Sequence, residues 1–212
     1  MKISIILAHP NPDSFNHAIA GAAEETLRRN GHQVILHDLC REQFPPLLSA
    51  AELRKDAALE PVIARHCEEV AVADGIIIVH PNWWGMPPAI LKGWIDRVLR
   101  MEVAYRFVEG DNGEGVPVGL LKAKAAIVFN TANTLDERGR KVFGDPLETL
   151  WRIACSTCAA CGRCLAAHSQ WLSPAPRNSA RRGWLRCARR WNNTSPGVDD
   201  TTLTHFRELN FS

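Results

Sequence analysis

The chain has 212 residues, of which 46% are hydrophobic, enough to bury one substantial core and to form one domain. It starts without a basic leader or a small-residue cleavage site, and no apolar run approaches the roughly 20 residues of a membrane span, so we expect a cytoplasmic protein with no membrane span. Residues 151–212 carry nine Arg and three acidic residues, a balance of +6, which leaves −4 for residues 1–150 because the net charge is +2. Trp151 marks the only clear change in composition.

Strand and helix patterns alternate along the first part of the chain. In chain order they predict a strand at 2–9, a helix at 15–30, a strand at 32–39, a helix at 61–73, a strand at 75–81, a helix at 87–100, a strand at 124–131 and a helix that starts at 145. Helical spacing predicts one buried apolar face for each of the first three helices. These faces contain, in chain order, Phe15, Ile19, Ala22, Ala23 and Leu27 in the first helix, Val62, Ile63, Cys67 and Val70 in the second, and Ile90, Leu91, Trp94, Ile95, Val98 and Leu99 in the third.

This alternation predicts an α/β fold, a parallel sheet that is covered by helices on both faces. In such sheets, ligands bind outside the carboxyl ends of the strands, where the strand order reverses. Three segments should meet there, namely residues 9–16, 81–88 and 130–134.

Each of these segments offers chemistry that suits a ligand. A loop ahead of free helix N–H groups suits a phosphate, with side-chain donors at His9, Ser14 and Asn16, although Ser14 could simply cap the helix. The indoles of Trp83 and Trp84 suit a flat ring system, unless one of them packs into the core. The third segment offers backbone N–H groups for the polar edge of a heterocycle. The lack of a GxGxxG sequence disfavours a nicotinamide-type Rossmann fingerprint.

Two motifs give the chain a family resemblance. HPNPDSFN follows the first strand, and PNWWGMPPAILKGWIDRV follows the third. The pair resembles the flavodoxin-like NAD(P)H:quinone oxidoreductases, which include the DT-diaphorases, the bacterial quinone reductases and the ancillary subunits of potassium efflux systems. The resemblance implies a flavodoxin-like, doubly wound, flavin-binding domain at residues 1–153. It does not identify which residues form the last strand and helix of that fold. Residues 154–212 form an atypical segment rich in Arg, Cys and Trp.

The resemblance also implies where a flavin would bind. In this family the first loop binds the flavin phosphates, the loop after the third strand packs against the isoalloxazine ring, and the loop after the fourth contacts its polar edge. The matching residues are His9, Ser14, Phe15 and Asn16, then Pro81, Asn82, Trp83 and Trp84, then Asn130, Thr131, Ala132 and Asn133. FAD is the expected cofactor, with FMN as the alternative, and NAD(P)H is the electron donor.

The chain departs from the family pattern in two places. Residues 130–133 replace a common Thr-Thr-Gly-Gly, and residues 135–145 lack the Tyr and His that some members use to stabilise charge. We therefore expect backbone donors to act at the flavin, with no side-chain nucleophile and no metal. The implied activity is two-electron hydride transfer from NAD(P)H through the flavin to a quinone or similar small electrophile. The implied assembly is a homodimer, and the loop at 106–118 is a candidate lid or dimer element.

Other functions remain open at this point. The same family includes a regulatory role, in which a flavoprotein subunit senses nicotinamide or redox state and docks on a potassium efflux system. An iron–sulfur flavoprotein would place a cluster beside the flavin. Nucleic-acid binding by the Arg- and Trp-rich tail is disfavoured, because the tail contains no recognisable module. Steady NAD(P)H oxidation with a quinone would favour the enzyme.

A row of cysteines, Cys155, Cys158, Cys161 and Cys164, raises the question of a metal centre. Bacterial ferredoxin loops have three residues before the fourth cysteine and a proline after it, whereas this row has two residues and then Leu165. Zinc sites usually pair two separated cysteine knuckles, which a single unbroken row does not provide. We therefore expect neither an iron–sulfur cluster nor zinc here.

The reading frame offers a different explanation of the tail. For one allowed choice of codons, the stretch IACSTCAACGR, read two bases later, encodes Cys-Met-Phe-Asp-Leu-Cys-Gly-Val-Arg-Thr, which resembles the Phe-x-Leu-Cys-Gly continuation common in the family. GC-rich coding DNA in a wrong frame also yields an Arg-, Ala- and Cys-rich composition. The hypothesis is that residues 154–212 are frameshifted, at the cost of the last strand and helix.

Overall fold

The structure is a computed structural model, and it describes residues 1–109, 115–133, 141–151 and 164–170. In chain order its elements are β1 (Lys2–Leu7), α1 (Phe15–Arg29), β2 (Gln33–Asp38), a 3-10 turn (Ala50–Leu53), α2 (Pro61–Ala71), β3 (Gly75–Pro81), α3 (Ala89–Val98), β4 (Tyr105–Glu109), β5 (Gly115–Gly119), β6 (Ala125–Ala132), α4 (Pro146–Glu148) and β7 (Cys164–Gln170). Five strands form one parallel sheet in the order β2-β1-β3-β6-β7. The predicted α/β fold with a doubly wound parallel sheet is confirmed.

The central strand is β3, and its sequence explains its place. All seven of its residues are buried, and it pairs with β1 on one side and β6 on the other. Ile77 lies opposite both Ile5 and Ile127. β-Branched side chains on both faces of a strand suit burial between two layers of helices. The four predicted strands are all present, with bounds shifted by about two residues at most.

The strand order reverses at β1, and this reversal positions the ligand crevice. The chain passes from β1 to β2 on one side and then returns to β3 on the other side of β1. The loops that leave β1 and β3 therefore diverge and open a crevice at the carboxyl ends of these strands, which is where open α/β sheets bind ligands. The loop after β6 begins at the same edge.

Helices pack on both faces of the sheet and create two cores. On one face, Ile19, Ala23 and Leu27 of α1 pack with buried residues of β1, β3 and β6. On the other face, α2 and α3 pack with the same strands, together with Leu147 and Trp151. Burial of apolar side chains on both faces is what stabilises a sheet of this kind.

The helices differ from the prediction at their ends and on their buried faces. Four buried positions of these helices, Asn16, Thr26, His66 and Arg97, are polar, because each side chain finds a hydrogen-bond partner inside the protein. An apolar periodicity cannot detect such positions. The residues predicted as buried but found half-buried are Phe15, Ala22, Val62, Ile90, Ile95 and Leu99.

The predicted loop at residues 106–118 is instead largely a β-hairpin. β4 and β5 pair antiparallel, with Phe107 opposite Pro117 and Val108 opposite Val116. The sequence did not predict these short strands, because the glycines and acidic residues of the segment are typical of loops. Phe107, Val108, Val116 and Val118 are all exposed. An isolated two-stranded hairpin buries little of its own surface, so these apolar side chains are available to another surface.

From residue 154 onward, the structure describes only β7, whose backbone pairs with β6. The predictions for Cys155, Cys158 and Cys161, for the Arg- and Trp-rich tail and for the last helix lie outside the described residues. Among the helices that are described, none combines the length and the apolar character that crossing a membrane requires.

Candidate functional site

Hydrogen bonds and a ring contact join the three predicted segments into one crevice. The Asn16 amide Nδ2 donates to Thr131 Oγ1 at 3.0 Å, which ties the start of α1 to the end of β6. The backbone N–H of Asn82 donates to the Thr131 carbonyl at 2.7 Å. The ring centroids of His9 and Trp83 are 6.0 Å apart. The loops after β1, β3 and β6 therefore line one site, as the topology predicts.

The loop after β1 turns into α1 through Ser14. This residue is the N-cap of α1, and its hydroxyl accepts the backbone N–H of His17 at 3.3 Å. His9 Nδ1 lies 3.1 Å from the backbone nitrogen of Asn11 and 3.3 Å from its carbonyl oxygen, so the ring is held against the backbone of its own loop. Burial lowers the pKa of His9. A hydrogen bond with the Asn11 backbone opposes this lowering, and the charge of His17 adds to it. Phe15 is half-buried.

Asn16 leaves one polar atom unsatisfied in the crevice wall. The residue is only 2% exposed, and its side-chain Oδ1 has no hydrogen-bond partner among the described residues. A buried acceptor without a donor costs about 1–3 kcal/mol. An acceptor of this kind fits a ligand that brings a hydroxyl or an N–H group.

The loop after β3 contains a tight turn at residues 82–86, here named the tryptophan turn. The backbone groups of Trp83 and Met86 pair reciprocally at 3.1 and 3.0 Å. The Asn82 side-chain Oδ1 accepts the Gly85 N–H at 2.9 Å. Gly85 has a φ of 75°, and an added Cβ would lie 2.8 Å from Pro146 Cγ, so only glycine fits this position.

Both indoles of the tryptophan turn face solvent. Trp83 is 46% exposed and Trp84 is fully exposed, so the alternative that one of them packs into the core is wrong. Trp84 also has a φ of 58°, a left-handed conformation that costs a bulky side chain about 1–2 kcal/mol. An exposed indole gains no burial that would offset this strain. Such strain is typical of ligand-binding turns.

The third segment begins at the end of β6, which pairs in register with the end of β3. Asn130 lies opposite His80, and Thr131 lies opposite Pro81. Pro81 and Asn130 are buried, Thr131 and Ala132 are half-buried, and Asn133 is exposed. All twelve predicted site residues therefore lie at the carboxyl edge of the sheet, in the loops that leave it or in the first turn of α1.

The sequence analysis missed three polar residues beside this crevice. Trp151 Nε1 donates to His80 Nε2 at 3.1 Å, and His80 Nδ1 lies 2.8 Å from the Pro81 carbonyl, so His80 anchors the end of β3. His17 Nε2 lies 3.0 Å from Asp38 Oδ2. The sequence did contain a signal for the His17–Asp38 contact, because His17 lies in the first turn of α1 and Asp38 ends β2, the strand next to β1.

The residues of the crevice fit a flavin. The first turn of a 15-residue helix, α1, suits a phosphate, because its leading N–H groups have no helical partners. The unpartnered Asn16 oxygen suits a ribityl hydroxyl, and the exposed indoles suit a flat ring. The helix start and Asn16 follow β1 and the indoles follow β3, which is the order that the resemblance implies for the phosphate, the ribityl chain and the ring.

A second histidine cluster lies between β2 and the helices α2 and α3. His37 and His66 stack with ring centroids 3.9 Å apart, and both contact Glu42, at 3.1 Å from His37 Nδ1 and 3.0 Å from His66 Nε2. Trp94 Nε1 donates to His66 Nδ1 at 3.0 Å, so neutral His66 carries its proton on Nε2, facing Glu42. This cluster is therefore a hydrogen-bonded core network rather than a metal centre.

Acidification is expected to destabilise the protein through His66. Burial, together with the charge of His37, lowers the pKa of His66 from 6.5 to about 4. The unfolded chain takes up a proton as the pH falls below 6.5, whereas the folded protein does not do so until about pH 4, so stability falls through this window. The free energy of unfolding should drop by about 2 kcal/mol between pH 7 and pH 5 from this group.

Urea unfolding at these two pH values measures the effect. The matched variant is His66→Gln, whose amide can accept from Trp94 and donate to Glu42 but does not titrate. We expect this variant to lose much less stability on acidification than the wild type. An equal loss in both proteins would show that His66 does not carry the pH dependence.

The strain at Trp84 predicts a difference between two substitutions that both remove the indole. Trp84→Gly relieves the left-handed conformation and Trp84→Ala retains it, so the glycine variant should be more stable by about 1 kcal/mol. Thermal or urea unfolding of the two variants measures the difference. A more stable alanine variant would mean that this backbone is unstrained.

Comparisons with known proteins agree with this geometry. A model of the flavodoxin-like fold family matches residues 1–163. An uncharacterized NAD(P)H oxidoreductase of Haemophilus influenzae is 42% identical over 134 residues, which cover 62% of this chain and 64% of that protein. The ribosyldihydronicotinamide dehydrogenase (quinone) of Rattus norvegicus is 31% identical over 182 residues, covering 76% of this chain and 77% of that protein. The chain spans less than two thirds of the length of several curated relatives that it matches.

Solved structures share the same architecture. Smu.1420 from Streptococcus mutans superposes with a TM-score of 0.75 at 28% identity, covering 89% of this chain and 97% of that one. An FMN-dependent NADH-azoreductase from Bacillus anthracis, solved in complex with FMN, has a TM-score of 0.66 at 16% identity and covers 89% of this chain and 99% of that one. This second likeness shows the fold alone. Given the family match over residues 1–163, the chain belongs to the flavodoxin-like fold family, as its two motifs predict.

Proposed function

We propose that the protein is a flavin-dependent NAD(P)H dehydrogenase that reduces quinones or similar small electrophiles by two-electron transfer. The observation that carries this proposal is the tryptophan turn, an exposed aromatic surface with a strained backbone at Trp84, at the edge where the strand order reverses. The names of the two relatives, an NAD(P)H oxidoreductase and a quinone-linked dehydrogenase, support the choice of electron donor and acceptor.

The chain's own residues would bind the flavin in three groups. His9, Ser14, Phe15 and Asn16 would hold the phosphate and ribityl chain, Pro81, Asn82, Trp83 and Trp84 would pack against the ring, and Asn130, Thr131, Ala132 and Asn133 would contact its polar edge. FAD is the proposed cofactor. FMN is the alternative, because an azoreductase of the same fold was solved in complex with FMN.

A bound flavin accepts a hydride and passes on two electrons, so a nicotinamide and a quinone can use one place in turn. The protein's task is then to bind and orient flat rings. The exposed indoles provide the flat surface, and the hydrogen bonds of Asn82 hold their turn against the end of β6. His9, whose pKa burial lowers, presents a neutral ring beside Trp83.

We further propose a cytoplasmic homodimer. The hairpin of β4 and β5 supports the dimer, because its exposed Phe107, Val108, Val116 and Val118 make an apolar surface that one subunit leaves uncovered. A crevice whose aromatic wall is fully exposed at Trp84 would also gain a second wall from a partner subunit.

Steady-state kinetics test the proposed activity. Flavin-loaded protein should oxidise NADH or NADPH with a benzoquinone as acceptor, and double-reciprocal plots at several quinone concentrations should be parallel, since donor and acceptor alternate at one site. Intersecting lines would contradict a shared site. A folded, flavin-loaded protein that oxidises neither nicotinamide would contradict the enzyme and favour the regulatory subunit.

A further inference from the structure

Ser14, His17 and Asp38 form a hydrogen-bonded row at the start of α1. The Ser14 hydroxyl lies 3.0 Å from His17 Nδ1, and His17 Nε2 lies 3.0 Å from Asp38 Oδ2. The side chains of His17 and Asp38 are 19% and 18% exposed, so water screens their contact only in part. The row joins the cap of the helix to the last residue of β2.

The chemistry of Asp38 and Ser14, at the two ends of this row, determines which atom donates each hydrogen bond. The Asp38 carboxylate only accepts, so His17 Nε2 donates to it, and in neutral His17 the other nitrogen, Nδ1, must accept. The partner of Nδ1 is Ser14, whose single hydroxyl proton therefore points toward His17. The Ser14 oxygen meanwhile accepts the backbone N–H of His17. With neutral His17, Ser14 has no proton to offer to the crevice.

Protonation of His17 reverses one of these bonds. Nδ1 then donates to the Ser14 oxygen, and the hydroxyl proton is free to turn outward. The Asp38 carboxylate stabilises the imidazolium at the other nitrogen. The other titratable ring in contact is His9, edge-to-face with His17 at 6.4 Å, and burial holds its pKa low, so it opposes the new charge little.

We propose that His17 and Asp38 are positioning residues that couple proton uptake to binding of the flavin phosphate. A dianionic phosphate at the first turn of α1 accepts hydrogen bonds and donates none, so it favours the state in which Ser14 donates outward and His17 is protonated. The inference rests on the proposed flavin site. The second observation that points to a ligand here is the buried Asn16 Oδ1 in the same first turn of α1, which has no hydrogen-bond partner among the described residues and suits a hydroxyl of the ribityl chain next to the phosphate.

A purely structural role for the row predicts something different. If Ser14 only capped the helix, and Asp38 only anchored His17, loss of either side chain would change stability without changing the number of protons taken up with the ligand. Proton uptake therefore distinguishes the two roles.

Titration calorimetry of the apoprotein with FMN, in two non-phosphate buffers of different ionisation enthalpy near pH 7, measures that number. The wild type should take up more protons per FMN than His17→Gln, because only the wild type has a ring at this position that can be protonated when the phosphate binds. Asp38→Asn should also lower the uptake, and both variants should bind FMN about tenfold more weakly. Free FMN has the same protonation in every titration, so a difference in uptake between variants arises in the bound state.

Riboflavin and Glu25→Gln provide the controls. Riboflavin has the same ring and sugar chain without the phosphate, so its proton uptake should not differ between the wild type and His17→Gln. Glu25 lies on α1 and pairs with Arg29 at the surface, so Glu25→Gln should bind FMN like the wild type. Equal proton uptake with FMN in the wild type, His17→Gln and Asp38→Asn would overturn the inference and leave flavin binding intact. A wild type that binds neither FMN nor riboflavin would overturn the proposed function, and this inference with it.

Discussion

Replacing Arg97 by Met should lower the free energy of unfolding by about 3–5 kcal/mol. Arg97 is 1% exposed, and its guanidinium donates to Glu52 at 2.9 Å, to Glu60 at 2.7 Å and to the Pro45 carbonyl at 2.6 Å. These bonds fix the long segment between β2 and α2 onto α3. Burial alone would raise the pKa of Glu52, yet the bonds from Arg97 and Ser49 hold it below its ordinary value. Met keeps the apolar stem of Arg97 but leaves the buried Glu52 carboxylate without its cation.

Urea unfolding at pH 7 measures the loss, and two variants serve as controls. Arg29→Met removes an exposed arginine that pairs with Glu25 and should cost less than about 1 kcal/mol. Adding Glu52→Gln to Arg97→Met should recover part of the loss, because it removes the uncompensated charge. An Arg97→Met variant as stable as Arg29→Met would mean that the buried pair contributes nothing.

Replacing Gly93 by Ala should destabilise the protein by about 3 kcal/mol, against the usual trend. Alanine in a helix is normally better than glycine by about 1 kcal/mol. At Gly93, however, an added Cβ would overlap the backbone carbonyl oxygen and Cα of Pro46. Backbone atoms cannot move aside by a rotamer change, so α3 and the segment that contains Pro46 would have to separate.

The same substitution at Gly21 is the matched control. Gly21 lies within α1, and an added Cβ there would meet nothing within 4 Å. Gly21→Ala should therefore raise the free energy of unfolding by up to about 1 kcal/mol, opposite in sign to Gly93→Ala. Thermal unfolding of both variants provides the comparison, and stabilisation by both would mean that Pro46 does not pack closely on α3.

Local pattern and topology predict most of the sheet and the location of the site. The apolar run of β3 identifies the central strand, and the alternation of strands and helices places the loops after β1, β3 and β6 at one edge. Ser14 as the cap of α1 also follows from local sequence, and the structure confirms it. These features depend on neighbours in the chain or on a general rule of parallel sheets.

The features that the sequence could not predict depend on partners that are distant in the chain. Arg97 is buried because Glu52, 45 residues away, reaches it, and His66 is buried because Glu42 and Trp94 bond to it. The exposure of both indoles likewise follows from the tryptophan turn rather than from hydrophobicity, which favoured burial of one of them. The frameshift hypothesis for residues 154–212 stays a prediction.

Flavin binding in the crevice is tested most directly by titrating the apoprotein with FAD and FMN while following flavin fluorescence, in the wild type, Asn16→Leu and Glu25→Gln. Leu is close to Asn in shape but lacks the unpartnered Oδ1 and the bond to Thr131. The wild type and Glu25→Gln should bind one flavin per chain with equal dissociation constants, and Asn16→Leu, with its fold checked by thermal unfolding, should bind at least about tenfold more weakly. No flavin bound by folded wild type, or equal affinity in all three proteins, would contradict a flavin site between the loops after β1, β3 and β6.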